Sequence, residues 1–105
     1  MAEKIPIIVL PGERVQQLRK KLAEYKVRVD SFRAPELQMD TICKKTVLER
    51  LLRDGQVNTW ELSREMLKTY GSGFDPWAFN NACGVVEDYC KTGGQNVFGG
   101  RLPTA

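Results

Sequence analysis

Few residues in this 105-residue chain are of a type and spacing suited to covalent chemistry, and the chain has no histidine. Histidine is the commonest general base and metal ligand, so its absence excludes Ser-His and Cys-His nucleophiles and any His-ligated ion. Three cysteines remain, Cys43, Cys83 and Cys90. Their number is odd, and their spacings match no zinc site. On one helix, Cys83 and Cys90 would share a face two turns apart, roughly 10 Å by the helical rise. A disulfide needs its Cα atoms within about 7 Å. All three read as reduced thiols buried as small hydrophobes, which points to a reducing cytoplasm. Carboxylate neighbours such as Glu61/Glu65 and Glu87/Asp88 fall on helix surfaces. Gly71-Ser72-Gly73 and Gly93-Gly94 lack the lysine spacing of a phosphate loop. The expectation is a non-enzymatic protein with no cofactor and no metal.

Non-covalent recognition is the remaining chemistry, and charge is its first guide. Net charge is +3, and it is unevenly spread. Residues 1–53 hold 12 Lys/Arg against 7 Asp/Glu, whereas residues 54–105 hold 4 against 6. A polyanion would meet the first half more readily than the second. The chain is 42% apolar, enough for one domain around one core. The apolar run Ile5–Leu10 is too short for a signal sequence or a membrane span, so a soluble intracellular chain is expected.

The elements that must position these residues follow from periodicity and caps. Residues 1–12 read as an extended arm that covers a core or adds an edge strand, and Pro6 restricts it to an edge. A first helix spans about 13–34, with Val15, Leu18, Leu22, Tyr25, Val29 and Phe32 at alternating steps of three and four. That is a heptad seam. It serves either to pack the helix on the chain's own core or to form a dimerisation seam with a second copy. Ala34-Pro35 ends it.

A second helix runs from about Glu36 to Arg53 and stops at Asp54-Gly55. Asn58 caps a third helix, with Val57 and Leu62 placed as a hydrophobic staple. Leu62, Met66, Leu67 and Tyr70 form its inward set. Asp75 caps a fourth helix, and Pro76 sits at its first position. Gly84 inside that helix costs about 1 kcal/mol against alanine and points to a close helix contact. Thr92-Gly93-Gly94 closes the helix. Gln95–Leu102 reads as a short hairpin, and residues 103–105 as a frayed tail.

Val47-Leu48-x-x-Leu51-Leu52-x-x-Gly55-x-Val57-Asn58-Thr59-x-Glu61-Leu62 resembles the opening of small winged helix-turn-helix proteins, including those of phages and mobile elements. The resemblance covers about residues 41–102 and rests on helix order and caps. It implies a mainly α fold: a three-helix core within residues 35–102, preceded by the amphipathic helix and closed by a small C-terminal β hairpin, the wing. It also implies a small DNA-binding, regulatory protein. In that family the third helix enters the major groove, a role that falls here to residues 75–91, with Asn80 and Asn81 facing bases. Lys44, Lys45, Arg50, Arg53, Arg64 and Lys91 would neutralise phosphates, with Arg101 on the wing. A homodimer through the first helix would place two readers on a two-fold site. The sequence departs from this pattern in one respect: the presumed reading helix has no arginine and carries Glu87 and Asp88 behind the Asp75 cap. A protein adaptor or inhibitor using the same surface is the alternative. Its anchors would be Trp60, Phe74, Trp77 and Phe98.

Overall fold

Residues 39–54 form the helix against which the helices of residues 15–30 and 76–92 pack. The computed structural model describes residues 7–30, 39–94 and Val97, with side chains for all of these except 28–30. In chain order the elements are β1 (Ile7–Val9), α1 (Val15–Asp30), α2 (Met39–Asp54), β2 (Gln56–Asn58), α3 (Thr59–Tyr70) and α4 (Pro76–Thr92). Single 3-10 turns fill Gly12–Arg14 and Gly71–Gly73. The described part is mainly helical, with one small antiparallel sheet.

The apolar residues Val47, Leu48 and Leu51 put one face of α2 wholly out of solvent. That face packs chiefly against α4 and next against α1. Burial of each such side chain contributes about 1.5–3 kcal/mol. From α4 come Phe79, Ala82, Val86, Tyr89 and Cys90, and from α3 only Leu62 and Met66. Two side-chain bonds fasten the start of α1 to the end of α4. Arg14 Nε donates to the Cys90 carbonyl at 3.0 Å, and the Tyr89 hydroxyl donates to Gln17 Oε1 at 3.0 Å.

Within the N-terminal arm, whose residues 1–6 lie outside the described residues, Ile7–Val9 form a strand at the edge of the sheet. Ile8 pairs with Val57 in antiparallel register, and both side chains are buried. The Leu10 N–H extends the contact by donating to the Gly55 carbonyl. Gly55 stops α2 at φ +79, a left-handed conformation that glycine adopts without strain. Asn58 caps α3 by accepting from the Trp60 and Glu61 N–H groups. Val57 and Leu62 are both buried, as a staple requires. Asp75 caps α4 by accepting from the Trp77 N–H, with Pro76 at the first helical position. Gly93 closes α4 in the left-handed region, its N–H bonded to the Tyr89 carbonyl.

Several expectations are corrected. Leu18, Leu22 and Tyr25 lie in the core of their own chain, and Val15 packs against that core from its edge. At these positions the heptad seam is filled within the chain, because α2 offers the same apolar stripe a second copy would. The Val29 side chain and Phe32 lie outside the described residues, as do residues 31–38, which include the expected start of the second helix. Leu67 and Tyr70 face solvent, not the core. Gln95, Asn96 and residues 98–105, with most of the expected wing, lie outside the described residues; Val97 is buried in the core.

Gly84 makes no close helix contact among the described residues. A Cβ built on it meets nothing within 4 Å. With open space and an ordinary helical backbone, Gly84→Ala is expected to raise stability by about 0.5–1 kcal/mol in a urea titration. A loss of stability would show that a neighbour approaches this position.

Candidate interaction surface

The thiols are placed for packing. Cys43 and Cys90 are buried, and Cys83 is half-buried. Burial pushes Cys43 and Cys90 up to about 11 and Cys83 up to about 12, from an ordinary value of 9.0. At neutral pH they are therefore thiols, which are poor nucleophiles. Among the described residues, no group of three or more Cys, Asp or Glu side chains is arranged to hold a metal ion. Alkylation of the native protein at pH 8 is expected to be slow at all three cysteines and fast after unfolding. The unfolded chain ionises first as pH rises, so stability is full below about pH 9 and falls as pH approaches 11 to 12. Rapid native labelling, measured by mass spectrometry, would contradict this placement.

The cations proposed for phosphate contact are dispersed. Lys44 lies on the buried face of α2 and is only 6% exposed, which removes it as a surface contact. Lys45 shares Glu49 with Lys26, both at 3.7 Å. Arg50 makes two hydrogen bonds to Glu65, at 3.0 and 2.9 Å. That bond holds the Glu65 carboxyl below the usual carboxylate range. Arg53 makes two hydrogen bonds to its neighbour Asp54, both at 2.8 Å, and Lys91 forms an ion pair with Glu87 at 3.5 Å. Arg64 alone of the described candidates stands exposed without an ion pair. Arg101 lies outside the described residues. Asn80 and Asn81 are exposed on the first turns of α4, behind Trp77.

The structure does gather two of these arginines. Arg50 and Arg53 line an open hollow of about 460 Å³ between α1 and α2, together with Lys26 and Glu49. Lys26 was not among the candidates, since the register of α1 on α2 sets its place there and no local pattern reports it.

The outward face of α3 is the other notable surface. Trp60, Arg64 and Leu67 follow one another at four and three residues, which places them in one stripe along the helix. The stripe lies opposite Leu62 and Met66, the residues α3 buries. Trp60 is 57% and Leu67 54% exposed. Trp77, in the first turn of α4, is 78% exposed. Both tryptophans of the chain therefore stand in solvent. Phe74, by contrast, packs against Phe79 with ring centroids 5.8 Å apart, so it belongs to the core edge. Phe98 lies outside the described residues.

Fold and surface together describe, among the described residues, four helices of which the third buries Leu62 and Met66 and exposes Trp60 and Leu67. No family model, no curated protein and no solved structure matches the chain.

Proposed function

We propose that this chain is a non-enzymatic docking module that holds another protein against the outward face of α3 and the first turn of α4. The observation that carries this reading is the exposure of Trp60, Leu67 and Trp77. Tryptophan is among the residues that dominate interface energies, and Trp60 and Leu67 stand exposed in one stripe of α3. Arg64 in the middle of the stripe supplies a charged group that such interfaces also favour. Three free cysteines, buried or half-buried, fit a reducing compartment such as the cytoplasm.

A second reading, DNA binding, has its own support. The succession of α2, α3 and α4 has the helix order of the winged helix-turn-helix resemblance, and Asn80 and Asn81 are exposed on the first turns of α4, the helix to which that resemblance gives the reading of adenine. Against it stand the carboxylates already paired with Lys45, Arg50, Arg53 and Lys91.

The test is affinity purification of the tagged chain from its source cell beside Trp60→Ala and Trp77→Ala, followed by direct titration of the recovered protein. A defined partner that binds the purified chain and is lost in both variants supports docking. Binding of duplex DNA that falls steeply with salt, and that the tryptophan variants leave intact, would favour the nucleic-acid reading instead.

A further inference from the structure

We propose, resting on the docking reading of this face, that α3 receives an acidic amphipathic helix of the partner protein. The partner's carboxylates meet Arg64 and Lys68, and its apolar side chains cover Trp60 and Leu67. Trp60 and Leu67 stand two turns apart on α3, and both are exposed. Arg64 and Lys68 stand one turn apart, also exposed, in a second row beside the first. Both rows lie away from Leu62 and Met66, the side chains that α3 buries.

Among the described residues, Arg64 and Lys68 have no ion pair. The neighbouring Glu65 does not offset them, because its two oxygens accept from the Arg50 guanidinium at 2.9 and 3.0 Å. Glu61 is the other carboxylate of α3. It sits in the first turn, where the positive end of the helix offsets part of its charge. Arg50, Arg64 and Lys68 therefore outnumber Glu61 and Glu65 by one, and the surplus lies on the outward side. The open fork of Arg64 fits a carboxylate through two parallel N–H bonds. Charges of this kind select and orient the partner, while the apolar pair supplies most of the affinity.

The spacing selects a helix. Along α3, Arg64 and Lys68 are about 6 Å apart and Trp60 and Leu67 about 10.5 Å apart by the helical rise. A helix laid alongside repeats both distances on one face, at four and at seven residues. An extended strand returns to one face only every 6.7 Å or so, and a residue about 10 Å on points to its far side. Arg64, Leu67 and Lys68, with Glu65, border an open hollow of about 430 Å³. The stems of Arg64 and Lys68 are aliphatic, so an apolar side chain can enter the hollow while carboxylates meet the charged ends.

The experiment is an anisotropy titration of the full chain with a dye-labelled helical peptide of about 18 residues, leucine on one face and glutamate flanking it. A twin peptide carries lysine in place of each glutamate. Saturable binding of the acidic peptide, weakening as salt rises and about tenfold or more tighter than that of the twin, is expected. Arg64→Gln combined with Lys68→Gln should weaken it by about tenfold, as loss of two surface ion pairs does. Lys20→Gln, which removes an exposed cation from α1, should leave it nearly unchanged. Equal binding of both peptides, lost in Trp60→Ala, would overturn the acidic partner and leave the docking reading standing. Binding of neither peptide would also overturn it, and capture with the tryptophan variants would then decide the docking reading separately. Equal losses in Lys20→Gln and in the double variant would mark unspecific attraction and overturn it. Duplex DNA binding that needs Arg64 and Lys68, with no binding of the acidic peptide, would assign these cations to phosphates and overturn it likewise.

Discussion

Trp60→Ala is expected to weaken partner binding by about 2 kcal/mol or more, roughly thirtyfold, as truncation of a central aromatic anchor does. The same variant should keep its stability to within about 0.5 kcal/mol, because its indole stands more than half in solvent and packs little. Trp77→Ala should behave alike, since it is the most exposed of the large apolar side chains among the described residues. The separation of the two effects is the informative part. A buried tryptophan would lose stability first and binding only as a consequence. Titration of the purified partner, paired with urea denaturation of each variant, distinguishes the cases. Loss of stability comparable to the loss of affinity would place these residues in the core and remove the docking face.

The second large effect concerns the core. Leu51→Ala is expected to lower unfolding stability by about 2–5 kcal/mol. Leu51 is fully buried on the face of α2 that packs against α4 and α1, so truncation opens a cavity among helices that have little room to collapse. A domain of this size has a total stability of only about 5–15 kcal/mol, and the variant should be visibly less stable at ordinary temperature. Leu67→Ala is the matched control. The residue type and the deletion are the same, but Leu67 is exposed on α3, and its loss should change stability by less than about 0.5 kcal/mol. Equal effects at the two positions would invert the inside and outside of α3.

That contrast marks where the sequence is legible and where it is not. Caps are local events, and they are readable from a few residues. Asn58 and Asp75 each accept the N–H bonds expected of them, and Gly55 and Gly93 take the left-handed conformation that ends a helix. The arm was legible as an edge strand, but its partner was not, because β2 is a three-residue stretch that doubles as the lead-in to α3. Which apolar residues of α3 point inward was not legible either. Leu62, Met66, Leu67 and Tyr70 spread over more than one face, and only contact with neighbouring elements decides that Leu62 and Met66 are covered.

The same limit applies to α1 and to the charged positions. A heptad stripe reports that a helix needs an apolar partner, not whose helix it is, so Leu18, Leu22 and Tyr25 read equally as core or as a seam. Lys44 reads as a surface cation by type, yet it lies on the face of α2 that turns inward, and its position follows from helix register. Arg50 and Arg53 were legible as cations on α2. Their meeting with Lys26 depends on how α1 crosses α2, a long-range property with no local sign. The open space at Gly84 is of the same kind, since a glycine looks alike whether a neighbour crowds it or none does.

The account depends most on the outward face of α3 and the first turn of α4 being covered by a protein partner. Acrylamide quenching of intrinsic tryptophan fluorescence tests it directly, because Trp60 on α3 and Trp77 in the first turn of α4 are the only tryptophans and both are exposed. With a tryptophan-free partner, or after subtraction of the partner's own emission, both indoles should be freely quenched in the isolated chain and protected in the complex. Quenching that remains unchanged on formation of the complex would contradict the docking face.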